Sequence, residues 1–245
     1  MAERMKKVLR IEKVKTQLMV IERLRALKRL YSYRELSRRL SISEAILCRY
    51  VRGNLLPSYT LAKKLLEDIK KVQDIGLLIR SRVRVDEEGY IDLTDLICDP
   101  YILKMVADEA YMTYKDSGVT RILTAAVNGI PLATMVAYTF GVPLVIAKRS
   151  KDVGVMEFLE EAFIPESSPI QETYYVPKRT LTKEDRILIV DDLVRSGRTL
   201  KVLINLARKG HSEIVGIFIM IAVGKKWMKN VEEELSNKVK VLTYI

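Results

Sequence analysis

The sequence predicts an α/β domain, a mostly parallel sheet flanked by helices, with a small all-α domain in front of it. Three observations predict this. From about residue 82 onward, apolar runs rich in β-branched residues alternate with segments of helical spacing, as in sheets whose strands are buried on both faces. One such run, Ile187 to Val190, leads through two carboxylates and a Ser-Gly-Arg-Thr turn into a helical segment. The first 75 residues show helical spacing only and hold 19 Lys and Arg against 8 Asp and Glu, whereas the remainder holds 23 of each. The domains expected are therefore 1–75 and 76–245, with the whole net charge of +11 in the first.

Composition excludes several classes. A chain of 245 residues with 49% hydrophobic and 30% charged residues has enough apolar material for a core and enough charge for a soluble surface. No apolar run approaches a membrane span, and Met1 to Lys15 is too charged for a secretory signal. Cys48, Cys98 and the single histidine, His211, make neither a metal-ligand set nor a disulfide framework, so a cytoplasmic location and no resident metal site are expected. A positive field concentrated on a small domain favours a polyanion partner; a solvated basic helix is the plainer alternative.

In the first domain, Met1 to Lys15 is basic and roughly helical. From Thr16, Leu18, Met19, Ile21, Leu24, Leu27 and Leu30 recur at helical intervals. Ser32, with Glu35 three residues on, forms a capping box for a second helix that turns Leu36 and Leu40 inward and Arg34, Arg38 and Arg39 outward. Ser41-Ile42-Ser43 breaks it. Ser43 caps a third helix, Glu44 to Arg52, with Ile46, Leu47 and Val51 available for the core and Gly53-Asn54 ending it. Pro57-Ser58 opens a fourth, from Tyr59 to about Val72. Short helices joined by a three-residue turn on a basic domain resemble a helix-turn-helix of the Cro/repressor type, with Ser41 standing where that family often has glycine. The resemblance implies double-stranded DNA as partner. Ser43, Glu44, Ala45, Cys48 and Arg49 would face base edges, and Arg34, Arg38, Arg39 and Arg52 would meet phosphates. A helical bundle used for dimerisation is the alternative.

Residues 73–82 contain no Gly/Ser linker, so a short, stiff junction is expected. Arg82 to Leu93 alternates around a Glu87-Glu88-Gly89 turn and reads as a hairpin. Asp99-Pro100 opens a helix to about Lys115. Arg121 to Ala125, Val142 to Ala147, Ile187 to Val190, Ile214 to Val223 and Val239 to Ile245 read as strands, with Trp227 to Asn237 helical between the last two. Val153 to Phe163 reads as a short amphipathic helix.

The central stretch is Arg186 to Leu200. Two carboxylates, Asp191 and Asp192, stand where the strand is expected to end, placed to accept bonds from hydroxyls or to hold a hydrated cation. Gly197 permits a tight turn, and the free N–H groups there and at the start of the next helix form an anion site, with Ser196 and Thr199 adding hydroxyls. This order closely resembles the phosphoribosyl pyrophosphate (PRPP) signature of the type I phosphoribosyltransferases. The resemblance implies that Asp191 and Asp192 contact ribose hydroxyls and that Arg195, Ser196, Gly197, Arg198 and Thr199 hold the 5′-phosphate. The early hairpin would be the family's hood. Val127, Asn128 and Gly129, after the strand 121–125, would form the pyrophosphate loop, with Asn128 where orotate enzymes carry a lysine. Lys148, Arg149 and Lys151 would suit the pyrophosphate, or form an ordinary basic loop. Mg²⁺ would accompany PRPP.

Two catalytic devices of the family are missing from the pattern. Val153 falls near the histidine of orotate-type loops and cannot transfer a proton. Arg195 stands where the 6-oxopurine type has a third acidic residue. No catalytic residue is assigned. The expectation is a homodimeric transcriptional regulator of nucleotide metabolism that senses PRPP or a nucleotide, similar to Gram-positive purine repressors and archaeal regulators with this fusion. The alternative is an active orotate- or purine-type transferase carrying a DNA-binding domain.

Overall fold

The computed structural model describes residues 10–72, 74–164 and 171–245. The chain divides into two compact units, one ending at Leu78 and the other beginning at Ile79.

The first unit is helical. It comprises α1 (Arg10–Lys28), α2 (Tyr33–Leu40), α3 (Glu44–Val51) and α4 (Tyr59–Val72), and the boundary falls inside α5 (Ile75–Arg82). Val20, Leu24 and Leu27 form the buried stripe of α1, facing Leu36 and Leu40 of α2, Leu47 and Tyr50 of α3, and Leu65, Leu66 and Ile69 of α4. Leu18 and Leu30 are about half exposed, because Leu18 lies off that stripe and Leu30 lies beyond the helix end. Residues 1–9 of the basic start lie outside the described residues.

Both arms of the α2 capping box are made. Ser32 Oγ accepts from Glu35 N at 3.2 Å, and Ser32 N donates to Glu35 Oε2 at 2.7 Å. Such a cap contributes about 1 kcal/mol. Ser41 takes the left-handed conformation at φ 53 and ψ 40, so the turn keeps its geometry without glycine. Ser43 Oγ accepts from Ile46 N at 3.4 Å and starts α3. Ile46, expected in the core, is instead exposed. Leu47 and Tyr50, three residues apart, take the inward positions and rotate Ile46 to solvent.

The second unit opens with the hairpin β1 (Arg84–Val85) and β2 (Ile91–Asp92), turned at Gly89 with φ 82. Then follow α6 (Thr94–Ile97) and α7 (Pro100–Tyr114), the latter capped by Asp99, whose Oδ1 accepts from Tyr101 N and Ile102 N. The remaining elements are β3 (Arg121–Ala125), α8 (Gly129–Phe140), β4 (Leu144–Ala147), β5 (Phe158–Phe163), β6 (Glu172–Pro177), β7 (Arg186–Val194), α9 (Arg198–Lys209), β8 (Glu213–Ala222), α10 (Glu233–Ser236) and β9 (Val239–Tyr244). The main sheet has the order β4-β3-β7-β8-β9, with every pair parallel. Leu123, Ile187, Ile189, Ile217 and Ile219 share a core with Leu200, Leu203 and Ala207 of α9. The alternate residues Ile122, Leu188, Val190 and Phe218 are buried too, which explains the unbroken apolar runs. Tyr114 closes α7 onto the sheet: its hydroxyl donates toward the carbonyls of Ile217 and Lys238, each at 2.9 Å, and Gly216 leaves room for its ring.

In the second unit three expectations about secondary structure change. First, β7 continues past Asp191 and Asp192 to Val194, because its pairing with β8 runs on to Val194↔Ala222; the carboxylates are strand residues. Second, Val153 to Phe163 is not a helix. Phe158 to Phe163 forms β5 and pairs antiparallel with β6, from Phe158↔Pro177 to Phe163↔Glu172. An isolated short helix carries a nucleation cost, whereas this strand gains a ladder and the apolar side of Tyr174 and Val176. Third, Trp227 to Asn237 splits into a 3₁₀ turn over Lys226–Asn230 and the four-residue α10, interrupted by extended Val231. Burial of Trp227 holds that break in place.

Candidate ligand-binding site

The parallel sheet ends in a cavity of about 810 Å³ at the carboxyl ends of β3, β4 and β7. Ligands of open α/β sheets bind in such crevices because three successive strand ends deliver loops to one place. The floor is Asp191 and Asp192. Both are 6% exposed, and the Asp192 amide donates to Asp191 Oδ1 at 3.2 Å. Burial pushes both carboxyls above the usual aspartate range, and for Asp191 the neighbouring charge of Asp192 adds to it. Two carboxyls held this way gain most from a ligand that brings hydroxyl donors or a cation.

Val127, Asn128 and Gly129 bring the amino terminus of α8 to the same cavity, and the Ala126–Val127 peptide is cis. A side chain at position 129 would lie 2.5 Å from Thr124 Oγ1 and 3.2 Å from Asp191 Oδ1, so glycine alone lets this helix start against the acidic floor. The buried Thr124 hydroxyl finds no hydrogen-bond partner among the described residues. On the other side Thr199, in the first turn of α9, joins the wall. Gly197 precedes it at φ 78, and a Cβ there would lie 2.7 Å from the Trp227 carbonyl. Asn230 Nδ2 donates to the Ser196 carbonyl at 2.7 Å, so the 3₁₀ turn braces the β7–α9 connection.

Lys148, Arg149 and Ser150 line the cavity after β4, but the cations there are already paired. Lys148 Nζ lies 2.8 Å from Asp152 Oδ1, and Arg149 Nη2 lies 3.1 Å from Glu172 Oε2. Lys151 does not line the cavity; it pairs with Glu160 at 3.2 Å and lies over the Tyr175 ring. Arg195, Ser196, Gly197 and Arg198 are also absent from the walls. Arg195 turns away and donates to the Gly89 carbonyl of the hairpin at 2.9 Å. Val153 is fully exposed in a turn. Tyr174, from β6, is a wall residue that sequence reasoning missed. The run Thr173-Tyr174-Tyr175-Val176 carries strand propensity that could have flagged it.

Among the described residues, no group of three or more His, Cys, Asp and Glu is arranged to hold a metal ion. The acidic pair offers two carboxylates at the cavity floor. That suits a hydrated Mg²⁺ held mainly by a ligand's own oxygens and by water.

Residues 98–241 match the family model described as "Phosphoribosyl transferase domain". The chain belongs to the phosphoribosyltransferase family. The match contains the whole cavity and leaves the first unit outside it. The chain is 34% identical over 137 residues to a xanthine phosphoribosyltransferase of Lactobacillus delbrueckii subsp. bulgaricus, covering 54% of this chain and 72% of that one. It is 31% identical over 155 residues to the "Probable purine biosynthesis transcriptional regulator PurR" of Streptococcus pneumoniae, covering 62% of this chain and 56% of that one. The crystal structure of the adenine phosphoribosyltransferase from Rhodothermus marinus superimposes with a TM-score of 0.62 at 17% identity, over 70% of this chain and 98% of that one. The fold is that of the type I phosphoribosyltransferases.

In the first unit, Arg34, Arg38, Arg39, Ser43, Glu44, Ala45, Arg49 and Arg52 are exposed on α2, α3 and their ends, and Cys48 is half-buried. Arg39 lies over the Tyr31 ring at 4.8 Å. Burial and a hydrogen bond with Cys48 raise the Tyr33 hydroxyl above its ordinary pKa. Among the described residues no helix is long and apolar enough to cross a membrane.

Proposed function

We propose that this protein is a DNA-binding transcriptional regulator of nucleotide metabolism whose phosphoribosyltransferase domain binds PRPP or a nucleotide as a signal. The observation that carries the reading is the segregation of charge. The whole net +11 lies within residues 1–75, and the capped helices α2 and α3 with their ends expose Arg34, Arg38, Arg39, Arg49 and Arg52, while residues 76–245 are neutral overall. The likeness to PurR relatives supports it.

In this reading Asp191 and Asp192 accept ribose hydroxyls, and the backbone from Arg195 to Thr199 takes the 5′-phosphate. The start of α8 and Lys148 with Arg149 face the pyrophosphate. Mg²⁺ arriving with PRPP supplies charge neutralisation at the pyrophosphate. In the first unit α3 enters the major groove and reads bases through Ser43, Glu44, Ala45, Cys48 and Arg49. Arg34, Arg38, Arg39 and Arg52 meet phosphates. A homodimer then gives a pseudo-palindromic operator with half-sites about 34–36 Å apart, or a multiple of that.

The likeness to xanthine phosphoribosyltransferases favours a second reading, a working transferase with a DNA-binding unit. Electrostatic stabilisation by bound dipoles catalyses without a dedicated proton carrier. Two experiments separate the readings. Assays with PRPP and xanthine, hypoxanthine, guanine, adenine, uracil or orotate are expected to show no turnover at enzyme-like rates of about 1 per second; robust turnover establishes the transferase. Footprinting with a salt series, with and without PRPP, is expected to show a protected operator whose affinity falls steeply with salt. Arg49→Ala should reduce discrimination against random DNA, whereas Arg38→Ala should weaken both and flatten the salt slope. By linkage, operator DNA must change PRPP affinity by the factor by which PRPP changes operator affinity. Salt-insensitive binding with no protected site refutes the regulator.

A further inference from the structure

Arg149 approaches the cavity from its solvent side, so what fixes its guanidinium decides what it can bind. Tyr174 and Glu172 of β6 both hold it. The Tyr174 ring is 2% exposed and lines the cavity, stacked on Phe163 of β5 with ring centroids 6.3 Å apart and planes within 16°. The Arg149 guanidinium carbon lies 5.6 Å from the ring centroid, and Arg149 Nε donates to the phenol oxygen at 3.3 Å. Glu172 is two residues earlier on β6, hence on the same face of the strand, and accepts from Arg149 Nη2 at 3.1 Å. An arginine has five N–H donors in a planar fork. These two bonds use two of them and leave three, with the fork's plane already set. The phenol, accepting from Nε, keeps its own proton to donate. The strand is itself anchored, because Lys148 and Tyr175 exchange backbone bonds at 3.0 and 2.8 Å.

We propose that Tyr174 is a positioning residue that aims Arg149 at the pyrophosphate end of PRPP and so lets the cavity distinguish PRPP from ligands that carry only the 5′-phosphate. This rests on the reading that the cavity takes PRPP. A lysine or an untethered arginine would offer the same charge without the fixed fork, and the pre-set geometry lowers the ordering cost of binding.

The test is calorimetry on the full chain with two ligands that differ only in the pyrophosphate, PRPP and ribose 5-phosphate. Tyr174→Phe keeps the ring and its stacking but removes the acceptor. PRPP affinity is expected to fall about fivefold, the worth of one typical hydrogen bond, and ribose 5-phosphate affinity to stay within about twofold. In an Arg149→Met background, adding Tyr174→Phe is expected to change PRPP affinity by less than about twofold, since the partner is already gone. Equal losses for both ligands, a loss that persists without Arg149, or no loss at all overturns the positioning role while leaving PRPP binding intact. Failure of the unaltered protein to bind PRPP overturns the parent reading together with this one.

Discussion

Two corners of the cavity, which the proposed reading assigns to the anionic parts of PRPP, are built differently. The β7–α9 corner is a backbone device. Gly197 at φ 78 sets the turn from which α9 starts, and Trp227 and Asn230 pack behind it. The β4 corner is a side-chain device. Lys148 and Arg149 carry the charge, and Asp152, Glu172 and Tyr174 hold it in place. Backbone amides cannot turn away, so the first corner is fixed by its local sequence. Lysine and arginine go wherever their partners are, and those partners lie up to 25 residues along the chain.

The largest effect should come from the floor that both corners share. Asp191→Asn with Asp192→Asn keeps shape but removes the charged acceptors. Each charge-assisted bond contributes about 1.5–3 kcal/mol, so PRPP affinity should fall about a hundredfold or more, read by calorimetry. A folded double variant with unchanged affinity would move the site elsewhere. Asp191→Asn alone should also raise the unfolding temperature at pH 7. The folded-state pKa is raised, so the folded protein holds this proton more tightly than the unfolded chain does. Stability therefore falls as pH climbs from the ordinary aspartate value, about 3.9, toward the raised folded one, and the deficit persists above it. The gain from asparagine should be present at pH 7 and vanish near pH 3; a gain independent of pH refutes the assignment.

Next come two glycines that test the backbone corner against the side-chain corner. Gly197→Ala meets both left-handed strain and the Trp227 carbonyl at 2.7 Å, and should cost about 2 kcal/mol or more in denaturant unfolding. Gly154→Ala, in the turn after Lys151, has φ 86 but nothing within 4 Å of its new carbon, so only strain of about 1 kcal/mol is expected. Equal costs would mean that packing behind the β7–α9 turn contributes nothing.

The smallest effect on stability belongs to Glu172→Gln. Its partner Arg149 is 64% exposed, and exposed ion pairs contribute about 0–1 kcal/mol, so urea midpoints should barely move. Its ligand effect should have the same sign as that of Tyr174→Phe and be smaller, because glutamine can still accept from Arg149 Nη2 and hold the fork.

The same contrast explains what was legible in advance. The strand Arg121 to Ala125, the Asp99 cap and the Ser32–Glu35 box follow from local spacing and local hydrogen bonds, and the structure contains each. The acidic pair and Gly197 were legible because their chemistry is spelled out within nine consecutive residues, 191–199. The β5–β6 hairpin was not. Phe158 to Phe163 fits a short amphipathic helix by periodicity, and only its pairing with Glu172 to Pro177 makes it a strand. Tyr174 was overlooked with it, and the cations at 148–151 were read without their partners.

What the sequence determined by itself was therefore the buried parallel strands, the capped helices of the first unit, the acidic pair and the glycine turn that follows it. Each depends on burial periodicity or on groups a few bonds apart, where geometry leaves little choice. The tertiary structure alone decided that β7 runs on through Asp191 and Asp192, that Tyr50 replaces Ile46 in the first core, and that Arg195 turns to Gly89. It also decided that a hairpin lends the cavity a tyrosine to hold Arg149. Those outcomes depend on partners far away in the chain, and a side chain's direction is set by whichever of them folding brings within hydrogen-bonding reach.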